Sequence, residues 1–204
     1  MKNIVSRVLL GFVALALSGC ANYTLITLKV DVASLVGEAA LKTTLQFSLP
    51  TLVVNETVPN KPEGQLIDNF PKLEVLNSAK LDILVLTGDG SGNTAKIAGS
   101  VRVYVAPTAE TNIYQDSKYL ISNTTAATAT SSIQINFELA PLGASPTPEQ
   151  QIRADALKAI QTGKFRVGFK IQGNFESAQS TLELALKTFK INISGYPIKL
   201  VPAQ

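Results

Sequence analysis

The stretch Lys164-Phe165-Arg166-Val167-Gly168-Phe169-Lys170-Ile171-Gln172-Gly173-Asn174-Phe175 sets Phe165, Val167, Phe169, Ile171 and Phe175 at one parity, against Lys164, Arg166, Lys170, Gln172 and Asn174. Successive side chains of a strand point to opposite faces, so this segment reads as a strand with one face packed and one wet. The same period of two recurs upstream. Ile133, Ile135, Phe137 and Leu139 oppose Ser132, Gln134, Asn136 and Glu138; Ile97, Val101, Val103 and Val105 oppose Lys96, Ser100 and Arg102. Leu81, Ile83 and Val85 oppose Lys80 and Asp82; Leu41, Leu45, Phe47 and Leu49 share a parity; Ile26, Leu28, Val30 and Val32 alternate with Thr27, Lys29 and Asp31. Half-buried strands in this number belong to antiparallel sheets. The expected fold is mainly β, an antiparallel β-sandwich of about eight or nine strands, immunoglobulin-like or related.

Downstream the alternation breaks once. Leu182, Leu184 and Leu186 are even-numbered, whereas Phe189, Ile191 and Ile193 are odd. A one-residue slip sends every later side chain to the opposite face, so a β-bulge or a change of sheet is expected at 186–189. One segment has helical period instead. Thr147 suits an N-cap, Pro148 the first helical position, and Glu149 the first turn. Ile152, Ala156, Leu157 and Ile160 then form one apolar stripe, and Gly163 suits the position just past the end. This predicts an amphipathic helix near 148–162 that covers one end or face of the sheets.

Residues 55–71, with Pro59, Pro62, Gly64 and Pro71, read as a long loop whose Leu66, Ile67 and Phe70 either tuck beneath it or form a contact surface. Residues 122–132 are small and of low complexity, a flexible loop or a worn sheet edge. Tyr104, Tyr114 and Tyr119 lie in one region, either as the margin of the core or as a stacking surface. Asp89-Gly90-Ser91-Gly92-Asn93 spaces oxygen side chains for a calcium loop but has Ser100 where a bidentate Glu is needed; the plainer reading is a glycine-rich hairpin.

Composition removes whole classes of chemistry. The chain of 204 residues has no His and a single Cys. Ser-His-Asp and Cys-His catalysis are therefore excluded, along with imidazole-ligated metal sites. A Ser117–Lys118 pair fails if both lie in a strand, because neighbours there face apart. No Gly-x-Ser-x-Gly elbow occurs, and Gly88-Asp89-Gly90 precedes a strand and not a helix, so the dinucleotide fingerprint fails. No cluster of lysine and arginine points to nucleic acid. The reading is of a protein that is not an enzyme, with no cofactor and no metal.

The first twenty residues carry an address. Lys2 and Arg7 precede an apolar run, Val8–Ala16, and then Leu17-Ser18-Gly19-Cys20. A basic start, a short apolar run and a small-residue cleavage site form a secretory signal, too short to span a bilayer. Leu17–Cys20 resembles the lipobox of bacterial lipoproteins, and the only Cys of the chain occupies the position that motif requires. The resemblance covers residues 1–20 and implies cleavage before Cys20, with residues 1–19 removed as a signal peptide, diacylation of the Cys20 thiol and acylation of the new amino terminus. Residues 20–204 then form one domain tethered through lipidated Cys20, which leaves no thiol for a disulfide, nucleophile or metal site. Ala21, where many lipoproteins retained at the inner membrane carry Asp, favours the outer membrane in an organism that has one. Lys2 and Arg7 take two of the 18 basic residues, leaving 16 against 15 acidic ones, so most of the formal charge of +3 belongs to the signal. Strand character begins by Thr24, and four extended residues reach only about 15 Å, which holds the domain near the headgroups.

Two functions are compatible with these features. The first is a membrane-anchored envelope lipoprotein that binds or scaffolds another envelope protein without catalysis. The second is a carrier of lipid or another apolar ligand in a groove of a curved sheet. The packing of Phe165, Phe169, Ile171, Leu184 and Leu186 separates them, since these side chains either interdigitate or line a slot.

Overall fold

A computed structural model describes residues 25–37, 42–46, 51–88, 96–176 and 181–196. The chain runs through β1 (Ile26–Asp31), α1 (Val32–Val36), β2 (Lys42–Gln46), β3 (Thr51–Val58), β4 (Gln65–Ile67), β5 (Val75–Gly88), β6 (Lys96–Ala106), α2 (Asp116–Tyr119), β7 (Leu120–Thr130), β8 (Ser132–Leu139), α3 (Pro148–Gln161), β9 (Phe165–Glu176) and β10 (Thr181–Tyr196). Nine of these strands have five residues or more, and β4 has three. Every pairing is antiparallel.

Two five-stranded sheets face each other. The first has the order β1-β10-β5-β8, with β2 continuing the edge that β1 begins along β10; the second has the order β3-β9-β6-β7, with β4 continuing β3 along β9. The pairs β5 and β6, β7 and β8, and β9 and β10 take matching positions in opposite sheets. Among sandwiches this is the order of a double Greek-key jelly roll. It corrects one local expectation: β5 and β6, the strands on either side of 89–95, join different sheets and do not form a hairpin. The loop with Asp89–Asn93 itself lies outside the described residues.

One continuous core fills the space between the sheets. Phe165, Phe169, Ile171 and Leu184 are fully buried, Leu186 is 7% exposed, and all belong to the same apolar cluster as Leu81, Ile83, Val103, Phe189 and Ile191. Rings meet edge to face across it, Phe169 with Phe189 at 5.6 Å and Phe70 with Phe165 at 5.3 Å. The slip in β10 is a bulge at Lys187. Leu186 lies opposite Val85 and Thr188 opposite Leu84, so Lys187 has no partner in the ladder. The extra residue turns Leu184 and Leu186 on one side, and Phe189, Ile191 and Ile193 on the other, to the same buried face.

Other segments differ from the sequence reading. Residues 55–58 continue β3 against β9, and 65–67 form β4, so seven of the seventeen residues of the expected loop 55–71 are strand. The run Asn55-Glu56-Thr57 is polar because this strand is a sheet edge, and its pairing with Gln172, Ile171 and Lys170 is non-local. Within it Ile67 and Phe70 are buried and Leu66 is exposed. The low-complexity stretch is the edge strand β7, paired with β6. Asp31 caps the short α1, which packs against β10 and β4 and so bridges the two sheets at that side.

The long helix forms where expected. Thr147 accepts from the Gln150 amide at 3.2 Å, while the Gln150 side chain accepts from the Thr147 amide at 2.8 Å, a reciprocal capping box. Gly163, at φ 76°, takes the left-handed conformation after the last turn. Between these stops α3 lies against β5, β6, β7 and β8, with Ala154, Ala156, Leu157, Ala159 and Ile160 buried. At this helical end of the sandwich β1, β5, β7 and β9 begin and β4, β6, β8 and β10 end.

Candidate functional site

A concavity lies between α2, α3 and the end of β6. Pro107, which has no amide hydrogen for a ladder, follows Ala106 and turns the chain out of the sheet. The β6–β7 connection then folds back through α2. Tyr104 holds it there: fully buried, its hydroxyl donates to Asp116 Oδ1 at 2.6 Å. The Arg102 guanidinium donates to Asp116 Oδ2 at 2.8 Å, so both carboxylate oxygens are taken. The Tyr114 ring packs edge to face on Tyr104 with centroids 5.3 Å apart, and its hydroxyl donates to the Pro59 carbonyl at 3.0 Å.

The opposite wall is α3, pinned along its length. Arg153 Nε donates to the Ile121 carbonyl at 3.2 Å at the start of β7, and Gln161 Nε2 to the Glu74 carbonyl at 2.6 Å just before β5. Between the walls is a cleft of about 710 Å³ with Val105, Ile152, Ala156 and Ala159 among its apolar lining and Lys118, Asp155, Lys158 and Lys164 among its polar lining. This is the size range of ligand clefts, about 300–1,000 Å³. Gln151 and then Lys158 hold the Asp155 carboxyl below its ordinary range, through hydrogen bonds of 2.9 and 3.0 Å. Lys158 is thereby committed to Asp155, whereas Lys118 and Lys164 take part in none of the ion pairs among the described residues. What the cleft offers chemically is an apolar lining beside two uncommitted ammonium groups.

The three tyrosines of the sequence reading do come together, in a small apolar cluster with Ala106, Ile113 and Leu120. They divide by role. Tyr104 and Tyr114 are structural, and burial raises both hydroxyls above their ordinary pKa, at Tyr104 with the help of Asp116. Tyr119 lines the cleft, and burial together with the Glu110 carboxylate pushes its hydroxyl up to about 12. Ser117 and Lys118 sit on α2 and not in a strand, and both line the cleft. Cys20 lies outside the described residues. Sequence reasoning missed the cleft because it joins residues 105–119 to 148–164; the local signal was small Ala156 and Ala159 on the apolar side of α3, which leave room beside the helix.

No protein-family model matches the chain, and no curated protein matches it. Among solved structures it is similar to one of the infectious bursal disease virus Gt strain, at 8% identity and a TM-score of 0.33, over 92% of this chain and 39% of that one. It is also similar to the infectious bursal disease virus VP2 subviral particle, at 5% identity and a TM-score of 0.32, over 92% of this chain and 39% of that one. The chain thus spans about two fifths of the length of these proteins, and at such identity and scores the likeness assigns nothing to it.

Proposed function

We propose that this protein is a membrane-anchored envelope lipoprotein with a non-catalytic binding or scaffolding role. The observation that carries the reading is Leu17-Ser18-Gly19-Cys20 directly after a basic start and an apolar run, with the chain's only cysteine at the acylated position. Two acyl chains give stable anchoring where one does not, because each buried CH₂ contributes about 0.8 kcal/mol. Ala21 supports the outer membrane as the destination in a diderm organism. The absence of His from the whole chain, and the consumption of Cys20 by lipid, support a role in binding and not catalysis.

The packing of the inter-sheet space supports scaffold over carrier. Phe165, Phe169, Ile171 and Leu184 are fully buried and Leu186 nearly so, in one cluster with the facing strand. One observation favours the carrier as a second reading: the cleft of about 710 Å³ has the volume of a ligand site, though it lies beside α3 and not between the sheets.

Labelling cells with radioactive palmitate tests the anchor. Label in the wild-type protein and none in Cys20→Ser is expected; no label in either, with the protein free in the culture fluid, overturns the reading. Crosslinking of intact cells followed by membrane pull-down is expected to recover a stoichiometric envelope protein, and repeated failure to recover one overturns the scaffold. Co-purified lipid in native mass spectra of the unacylated Cys20→Ser form, with no protein partner, replaces the scaffold by the carrier.

A further inference from the structure

We infer that the helical end of the sandwich is itself a bilayer-docking face, set on an anionic phospholipid surface with the sheets standing away from it. The inference rests on the anchor reading and adds an orientation and a contact surface to it. Six large apolar side chains are exposed among the described residues, and four of them, Leu25, Leu66, Val75 and Leu142, lie at this end. Leu25 precedes β1, whose Ile26 pairs with Gly195 near the end of β10. Val75 begins β5 opposite Tyr196, Leu66 lies opposite Arg166 at the start of β9, and Leu142 is three residues beyond β8. Lys118 and Lys164, the uncommitted cations of the cleft, are at the same end. Apolar side chains flanked by lysine are what an interfacial surface presents to acyl chains and phosphates.

Covalent geometry fixes which end meets the membrane. From Cys20 to Leu25 the chain spans five residues, at most about 18 Å when fully extended. The sixteen residues of β10 run about 50 Å at the rise of a strand. An acylated Cys20 therefore keeps the helical end at the headgroups and the far end beyond reach. Lying flat would put polar groups on lipid instead. On the outer face of the first sheet Lys80 pairs with Glu138 at 3.6 Å, and Gln134 donates to Asp82 at 2.6 Å.

The chain contains no tryptophan, so one introduced residue reports its own surroundings. Leu142→Trp and Leu66→Trp probe the helical end, and Val53→Trp probes β3 toward the far end, where Val53 is 77% exposed. Each full-length acylated protein, purified from membranes, is reconstituted into vesicles of phosphatidylglycerol and acyl-brominated phosphatidylcholine. Blue-shifted, quenched emission from Leu142→Trp and Leu66→Trp, with unquenched emission from Val53→Trp, is expected. If all three stay unquenched while the protein floats with the vesicles, docking is overturned and the anchor stands. Quenching of Val53→Trp as well overturns the upright orientation. Protein that carries no acyl chain and does not float removes the anchor and the docking face together.

Discussion

Replacing Phe169 by Ala tests whether the gap between the sheets is full. Phe169 is fully buried, and its backbone partners on either side, Val58 of β3 and Val103 of β6, are fully buried too. Across the gap its ring meets Phe189 with centroids 5.6 Å apart and planes at 89°. The strands around it are held by ladder pairing and cannot collapse far into the space left by the ring. Truncations of this kind cost about 3–5 kcal/mol, the lost transfer energy plus a cavity. For a domain of this size 1 kcal/mol moves Tm by roughly 2–4 °C, so a fall of about 6–20 °C is expected. The assay is urea and thermal unfolding of the chain from residue 20 onward with Cys20→Ser, followed by circular dichroism, with an unchanged denaturant slope as the check on two-state behaviour. Phe189→Ala and the double variant complete a cycle whose coupling of about 0.5–1.5 kcal/mol ties the loss to the ring pair. A loss for Phe169→Ala below about 1.5 kcal/mol, less than burial of such a side chain alone contributes, would mean that the ring faces a slot. A carrier would then be favoured over a scaffold.

Three further outcomes are expected. Deleting Lys187 sets Leu184, Leu186, Phe189, Ile191 and Ile193 at one unbroken parity and leaves the protein folded and soluble, and Lys187→Ala, at an exposed bulge residue, changes stability by under about 0.5 kcal/mol, whereas deleting Lys190 from the regular ladder sends Ile191 and Ile193 to the outer face and leaves the protein unfolded or insoluble; equal loss of solubility in the two deletions would refute the bulge. A Cβ at Gly173 would lie 2.5 Å from the Ala98 carbonyl oxygen and 2.6 Å from the Gly99 Cα, so Gly173→Ala should lose about 1–3 kcal/mol in urea unfolding while Gly143→Ala, with nothing within 4 Å, changes little. Tyr104 is held protonated by burial and then by Asp116, above its ordinary value of 10; a raised pKa stabilises the fold fully below pH 10 and that contribution is lost as pH rises beyond it. Melting temperatures should fall more steeply above pH 10 in the wild type than in Tyr104→Phe, and parallel curves would show that Tyr104 does not contribute.

Much of the fold is legible one strand at a time. The parity of Phe165, Val167, Phe169 and Ile171 named their buried face, and the parity change after Leu186 located the bulge at Lys187. Thr147, Pro148 and Gly163 marked both ends of α3, because capping is chemistry between residues a few positions apart. Segments whose structure depends on a distant partner were not legible. Asn55, Glu56 and Thr57 are strand only because β9 supplies their hydrogen bonds. Ser117 and Lys118 are in a helical turn because Asp116 is held by Arg102 and Tyr104.

The candidate site divides the same way. Its tyrosines and the helix that forms one wall were visible as residues, but the cleft was not, since its walls come from segments about forty residues apart. Periodicity and capping follow from backbone geometry and nearest-neighbour sterics, so the amino-acid order alone determined which side chains are buried, where the helix starts and stops, and that the only cysteine falls at position 20. Which sheet each strand joined, that β5 and β6 face each other across the core, and that exposed leucines and uncommitted lysines gather at one end were decided by tertiary structure. Burial of an apolar face is satisfied by any complementary face, and only the closing of long-range ladders around one shared core selects among them.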